Sequence, residues 1–304
     1  MPTKTKNATS SGRSKTSGKQ HDPRYTAKTA DRHELYQMSV QNVEAEIDFV
    51  DATFEALRGR QAARLREDFA GTANSACEWV RRRESNTAVA VDLDAPTLEW
   101  GRVNNLTKLD EAGSSRVRLI EADVREPGPF GSDAEIVLAM NFSYWIFQTR
   151  DELRRYFETV RASLADDGLF FLDFYGGSEA MSETLDKRKI NKHVTYHWDQ
   201  HHYDPMSGEM ECRIHFKFSD GSIMRDAFIY RWRLWTLPEI QELLLEAGFE
   251  DVAVYWEGTD PDDEEEGNGE FSPVIQGDAD PAFICYIVAQ KHKLAEIERQ
   301  DRPS

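Results

Sequence analysis

No apolar run in this chain approaches the roughly eighteen residues that a membrane-spanning helix needs. No apolar segment of signal-peptide type stands near the N-terminus, so no secretory leader is expected. Cysteine is scarce. Cys77, Cys212 and Cys285 are too few and too scattered for a disulfide framework or a zinc site, and they read as buried thiols of a reducing, cytoplasmic protein. Positive charge is also in deficit: 37 Lys and Arg against 55 Asp and Glu leave a formal charge of −18. Such a surface repels phosphate backbones and argues against general nucleic-acid binding. The exception is 1–30, rich in Lys, Ser and Thr and poor in residues that could build a core, which reads as a disordered basic tail.

What is present is a long α/β pattern. At 39% hydrophobic over 304 residues, the chain can bury a large core. Residues 32–58 carry Leu35, Met38, Val43, Ile47, Val50 and Phe54 near helical spacing. Strand and helix patterns then alternate through five strands, the last at 169–174. The helix at 150–164 is announced by Thr149 and Glu152 at capping-box spacing. Alternation of this kind predicts a parallel sheet with helices on both faces. From 192 to 235 three strand-like runs follow one another without helices, predicting an antiparallel insert. A second capped helix begins at Thr236, with Pro238 in its first turn, Glu239 completing the box and Gly248 ending it. Strands six (251–256) and seven (282–289) close the pattern, joined by an acidic loop at 257–281. Residues 291–304 read as a frayed end. No internal repeat is present.

In an open α/β sheet, ligands bind beyond the carboxyl ends of the strands, where strand order reverses. Four segments end at that edge. The first is Glu67-Asp68-Phe69-Ala70-Gly71-Thr72-Ala73, an acidic pair and a tight turn into a helix. Asp92, followed by Leu93, ends strand two twenty-five residues after Glu67, where an acid can accept from both hydroxyls of a ribose. Asp123-Val124 ends strand three, where a carboxylate can accept from an exocyclic amine. Asn141-Phe142 ends strand four. A dinucleotide motif wants glycine at three turn positions, and Phe69, Gly71 and Ala73 supply one. That argues against a pyrophosphate and suits an amino-acid tail better. Plainer roles stand beside these: strand-end cap for Asp92, helix cap for Asp123, turn residue for Asn141.

This ordered set resembles the class I S-adenosylmethionine-dependent methyltransferases over about 60–290. Glu67 to Ala73 stands at the family's glycine-rich first motif, Asp92 at its ribose-binding acid, Asp123-Val124 at its adenine-contacting pair and Asn141-Phe142 at its fourth motif. The departures are Phe69 and Ala73 in place of glycines, which leave open whether Glu67 or Asp68 faces the ligand. The resemblance implies a Rossmann-like seven-stranded sheet, mostly parallel with the last strand antiparallel, in a methyltransferase domain spanning 31–290, with the antiparallel insert at 192–235 roofing the cleft as a lid. It implies S-adenosyl-L-methionine as cofactor. Tyr36 is a further candidate contact, because the N-terminal segment of similar enzymes folds over the methionine end.

Methyl transfer from a sulfonium asks the protein mostly for alignment and exclusion of water. Asn141, Tyr144, Trp145 and Asp173 are the candidates for the reaction site, with Trp256 at its margin and His215 as a weaker candidate base. Tyr144, Trp145 and Trp256 also read as ordinary packing. His197 and His201 would share a face on a helix, but 197–204 reads as a strand entering a turn, so no metal site is expected. The acidic run 260–266 lacks the ligand spacing of a calcium loop. The acceptor is expected to be a small molecule, with an amine or amino-acid-like compound suggested by the acidic face. Alternatives are a protein or RNA methyltransferase docking through the basic tail, and a non-catalytic cofactor-binding protein. The sequence does not specify the oligomeric state.

Overall fold

A computed structural model describes residues 22–260 and 263–299. The apolar spacing of 32–58 is divided between two helices. Asp31 caps α1 (Arg32–Ser39) by accepting from the His33 and Glu34 amides, and α2 (Val43–Arg58) restarts after Asn42. The break lets Leu35 bury in one core and Ile47, Val50 and Phe54 in another, and it leaves Met38 exposed.

Five strands then pair in parallel: β1 (Arg64–Asp68), β2 (Thr87–Asp92), β3 (Val117–Glu121), β4 (Ala134–Ala139) and β5 (Leu164–Gly176). The connections carry α3 (Asn74–Arg82), α4 (Ala95–Asn104), α5 (Glu111–Ser115) and α6 (Arg150–Ser163). Trp79 and Val80 of α3 join the α2 residues on one face of the sheet. Leu153, Phe157 and Val160 of α6 cover the other. The Thr149–Glu152 capping box is present in both directions.

An antiparallel sheet follows: β6 (Thr184–Lys189), β7 (Val194–Tyr203), β8 (Glu209–Phe218) and β9 (Ile223–Arg233). It has four strands where 192–235 predicts three. β6 is an exposed, charged edge strand, and an edge blunted by Asp, Lys and Arg shows no apolar alternation to read. The inner face of this lid buries Val194, Ile214, Phe216 and Phe218 against Leu35, so α1 belongs to the lid's core. Residues 22–30 correct the expectation of a disordered tail over that stretch. Tyr25 stacks on His193 at 5.7 Å, and the Ala27 amide donates to Ser222 Oγ at 3.0 Å. The remainder of the tail, 1–21, lies outside the described residues.

After α7 (Leu237–Glu246), with its Thr236–Glu239 capping box, come β10 (Asp251–Asp260), β11 (Asp263–Val274) and β12 (Phe283–Gln290). The large sheet runs β11-β10-β12-β5-β4-β1-β2-β3. β12 lies antiparallel to both its neighbours, as the last strand was expected to do. The sheet has eight strands rather than seven, because most of the predicted loop 257–281 is a hairpin in which β11 pairs with β10. Asp, Glu, Asn and Gly are depleted in strands, and their density here conceals one. Of the acidic run, positions 261–262 and the side chains of 260 and 263–266 lie outside the described residues. Residues 291–299 are tied down rather than frayed: Ile297 is buried and Arg299 bonds Asp251 at 2.7 Å. Among the described residues no helix is long and apolar enough to cross a membrane.

Strand order places β2 and β3 on one side of β1, and β4 and β5 on the other. The connections therefore diverge at the carboxyl ends of β1 and β4, where this architecture opens a crevice.

Candidate functional site

The turn from β1 into α3 keeps a glycine-motif backbone without most of its glycines. Phe69, Gly71 and Ala73 have φ of 54°, 51° and 54°, all left-handed. Each non-glycine residue there costs about 1–2 kcal/mol of strain. The surroundings hold it. The Phe69 ring packs edge-on to Tyr156 at 5.5 Å, and Ala73 is fully buried. The Thr72 hydroxyl accepts from Gln37 at 2.7 Å and its carbonyl from Asn105 at 2.9 Å. Gly101 of α4 was not singled out from the sequence. A Cβ there would lie 2.3 Å from the Thr72 carbonyl oxygen, so only glycine lets α4 pass this close. A glycine inside a helical pattern was the available signal.

The two acids of the motif have separate work. Asp68 is paired under the turn with Arg66 at 2.8 Å and accepts from the Tyr156 hydroxyl at 2.9 Å. Burial pushes its carboxyl up against the opposing pull of Arg66. Glu67 accepts the Ala76 amide at 2.8 Å, and burial pushes it up to about 8. Glu67 has no cationic partner among the described residues, which leaves it the one of the pair able to meet a cation. Asp92 accepts the Gly71 amide at 2.7 Å on one oxygen and the Asp94 amide at 2.8 Å on the other. It pins the turn and keeps a lone pair on each oxygen for a ligand hydroxyl.

Opposite, Asn141 and Phe142 are consecutive left-handed residues, with φ of 58° and 55°. Asp173 at the end of β5 holds this turn, accepting the two amides at 2.7 and 2.9 Å. Burial pushes Asp173 up to about 7, opposed by those amides. Asp173 thus positions Asn141 and Phe142. Tyr144 and Trp145 are corrections to the expected reaction site. Both are fully buried in the core, Tyr144 donating its hydroxyl to the Asp173 carbonyl and Trp145 packing on Phe174. Trp256 likewise packs on Phe283 at 4.5 Å. His215 lies among Asp199 at 3.2 Å and Asp226 at 3.6 Å within the lid, and lines neither cavity described next.

Two cavities of about 290 Å³ each adjoin at this edge. The first brings together most of the expected cofactor residues: Tyr36, Glu67 through Thr72, Asp92 and Asn141. It also takes in His33 from α1 and Phe228, Tyr230 and Trp232 from β9. Those residues were missed because they arrive from the lid, far away in sequence. Phe142 faces the second cavity instead. Leu93 is exposed, Val124 is buried in the core, and Asp123 is held by Arg125 at 2.7 Å, which lowers its carboxyl. None of these three lines the first cavity. Tyr36, Asn141, Tyr230 and Trp232 line both cavities and form the wall between them.

No family model and no curated protein sequence matches this chain. Solved structures do. The CcbJ methyltransferase from Streptomyces caelestis matches at 15% identity with a TM-score of 0.60, over 83% of this chain and 97% of that one. CalS10, an amino pentose methyltransferase from Micromonospora echinaspora in its SAM-bound form, matches at 18% and 0.61, over 86% and 96%. The sugar N-methyltransferase KedS8 from Streptoalloteichus sp. matches at 15% and 0.57, over 97% and 100%. Sheet order, the antiparallel β12, the lid and these neighbours together establish that the chain has the fold of the class I S-adenosylmethionine-dependent methyltransferases.

Proposed function

We infer that this chain is an S-adenosyl-L-methionine-dependent methyltransferase acting on a small molecule, an amine or amino-acid-like compound. The observation that carries this reading is the lining of the first cavity. Glu67, Asp92 and Asp94 contribute three carboxyls besides Asp68, whose carboxyl is taken up by Arg66 beneath the turn, and among the described residues no lysine or arginine lines the cavity. A phosphate-bearing cofactor would find no cation there. A nucleoside carrying an ammonium and a sulfonium fits the donor set. Asp92 would hold the ribose hydroxyls, Glu67 and the turn the amino-acid tail, and Tyr36, Tyr230 and Trp232 the sulfonium against their ring faces.

When bound, that cofactor supplies an electrophilic methyl group. The chain supplies the rest. The glycine-like turn and Asp92 orient, Asp173 holds Asn141 at the wall between the cavities, and the lid with α1 excludes water. The second cavity, across that wall, takes the acceptor. The activities named for CalS10 and KedS8, an amino pentose methyltransferase and a sugar N-methyltransferase, support a small amine here.

Calorimetry with S-adenosylhomocysteine tests the reading, together with methyl release over a panel of amines. The wild-type chain should bind. Asp92→Ala should weaken binding roughly tenfold to a hundredfold, the range for a hydrogen bond to a charged group. No binding by the wild type, or an unaltered affinity in the variant, refutes it.

A further inference from the structure

The second cavity is walled by aromatic rings. Tyr230 and Trp232 stack at 4.5 Å, and Trp198 lies 6.2 and 6.1 Å from them. Tyr175 of β5 and Phe142 of the turn after β4, 6.0 Å apart, face them. Cross-strand register explains the grouping. Asp186, Trp198 and Ile214 stand opposite one another across β6, β7 and β8, and Thr184, Gln200, Cys212 and Tyr230 form the next row. Opposed residues share a face, so these rows turn rings and Asp186 toward the large sheet.

The charges of this cavity have one sign. Glu179 and Asp186 line it, and among the described residues neither makes an ion pair and no lysine, arginine or histidine lines it. On the same lid face, one row further on, Arg188 lies over Tyr196 at 5.7 Å and donates to the Ser39 carbonyl of α1. That guanidinium is engaged in fastening α1. Ring faces are electron-rich and attract cations, and carboxylates at the rim add to the attraction. A carboxylate or phosphate entering the same space would lose its water and meet no cation.

We propose that the second cavity is a cation-selective acceptor site, binding a small ammonium-bearing molecule with an apolar body and no acidic group, whose nitrogen passes its proton to a rim carboxylate, Glu179 or Asp186, or to solvent before it takes a methyl group. This rests on reading the first cavity as the donor site. It narrows the acceptor from an amine or amino-acid-like compound to an amine alone, since an amino acid's carboxylate has no partner here.

Three ligands of similar size separate the terms by calorimetry on the full chain, with S-adenosylhomocysteine titrated alongside. Choline carries the cation, 3,3-dimethyl-1-butanol is its uncharged isostere, and glycine betaine adds a carboxylate to the same head group. Choline should bind at least tenfold more tightly than either of the others. The variant combining Glu179→Gln and Asp186→Asn, both at exposed positions, should reduce that preference severalfold while leaving S-adenosylhomocysteine affinity unchanged. Failure of choline to bind overturns the proposal. So does equal or tighter binding of the isostere or of betaine, or a choline preference untouched in the double variant. If S-adenosylhomocysteine binds while choline shows no preference, the cation site fails and the methyltransferase reading stands. If choline is preferred and S-adenosylhomocysteine does not bind, the methyltransferase reading fails and the cation site stands.

Discussion

The two cavities share a wall and differ in how they are built. The first stands mainly on the turns after β1, β2 and β4 of one sheet, so its key groups recur along the sequence at Glu67, Asp92 and Asn141. The second is assembled from cross-strand rows of an inserted sheet, the turn after β4 and the start of β12. Its residues are up to 248 positions apart, as with Tyr36 and Ile284. A site on neighbouring turns inherits its geometry from local backbone. A site between two sheets inherits it from register and docking, so damage to one need not reach the other.

The most damaging substitution should spare neither cavity. Asp68→Ala leaves Arg66, which is 1% exposed, as an uncompensated buried charge and orphans the Tyr156 hydroxyl. Removing one partner of such a pair costs roughly 3–5 kcal/mol. Denaturant titration should show that loss, and a change below about 1 kcal/mol would show the pair to be incidental.

Glu67→Gln should separate the cavities. The folded-state pKa of Glu67, about 8, lies above its ordinary 4.5, so the folded chain holds a proton that the unfolded chain releases. The resulting stability is fully present below pH 4.5 and is lost as pH rises through about 8. The advantage of wild type over Glu67→Gln in midpoint of denaturation should therefore shrink as pH rises across that window. S-adenosylhomocysteine affinity should fall in the variant and choline affinity should not. A pH-independent difference would mean that Glu67 is already ionised in the fold.

The smallest effect tests the turn itself. Ala73→Gly relieves a left-handed alanine worth about 1–2 kcal/mol of strain and gives up a buried methyl worth about 0.8 kcal/mol. Stability should change by less than about 1 kcal/mol, toward the more stable side. An ordinary loss of 1 kcal/mol or more would show that the backbone there is not strained.

Legibility follows the same division. The capping boxes at Thr149 and Thr236, the parallel strands and the acids at their ends all depend on spacing within one element, and the structure keeps them. β6 and β11 were hidden because pairing, rather than composition, makes them strands. Tyr144 and Trp145 stand beside the reaction-site motif in sequence, but the turn at 141–142 sends them into the core. Leu93, Asp123 and Val124 occupy the right strand ends, yet their side chains point to solvent, to Arg125 and to the core.

The sequence by itself determined the parallel α/β core and the sheet edge where the acids gather, because hydrophobic periodicity and strand-end acids are local properties of the chain. It also determined that Phe69, Gly71 and Ala73 stand at the critical turn. Only the tertiary structure decided how that turn survives with one glycine, through the packing of Phe69, the burial of Ala73 and the grip of Asp92 on the Gly71 amide. It likewise assigned the two acids, Asp68 to Arg66 beneath the turn and Glu67 to the cavity. The aromatic wall of the second cavity belongs wholly to it, because two rings from β7, two from β9, one from β5, Phe142 from the turn after β4 and Tyr36 from α1 meet only when both sheets are in register and docked.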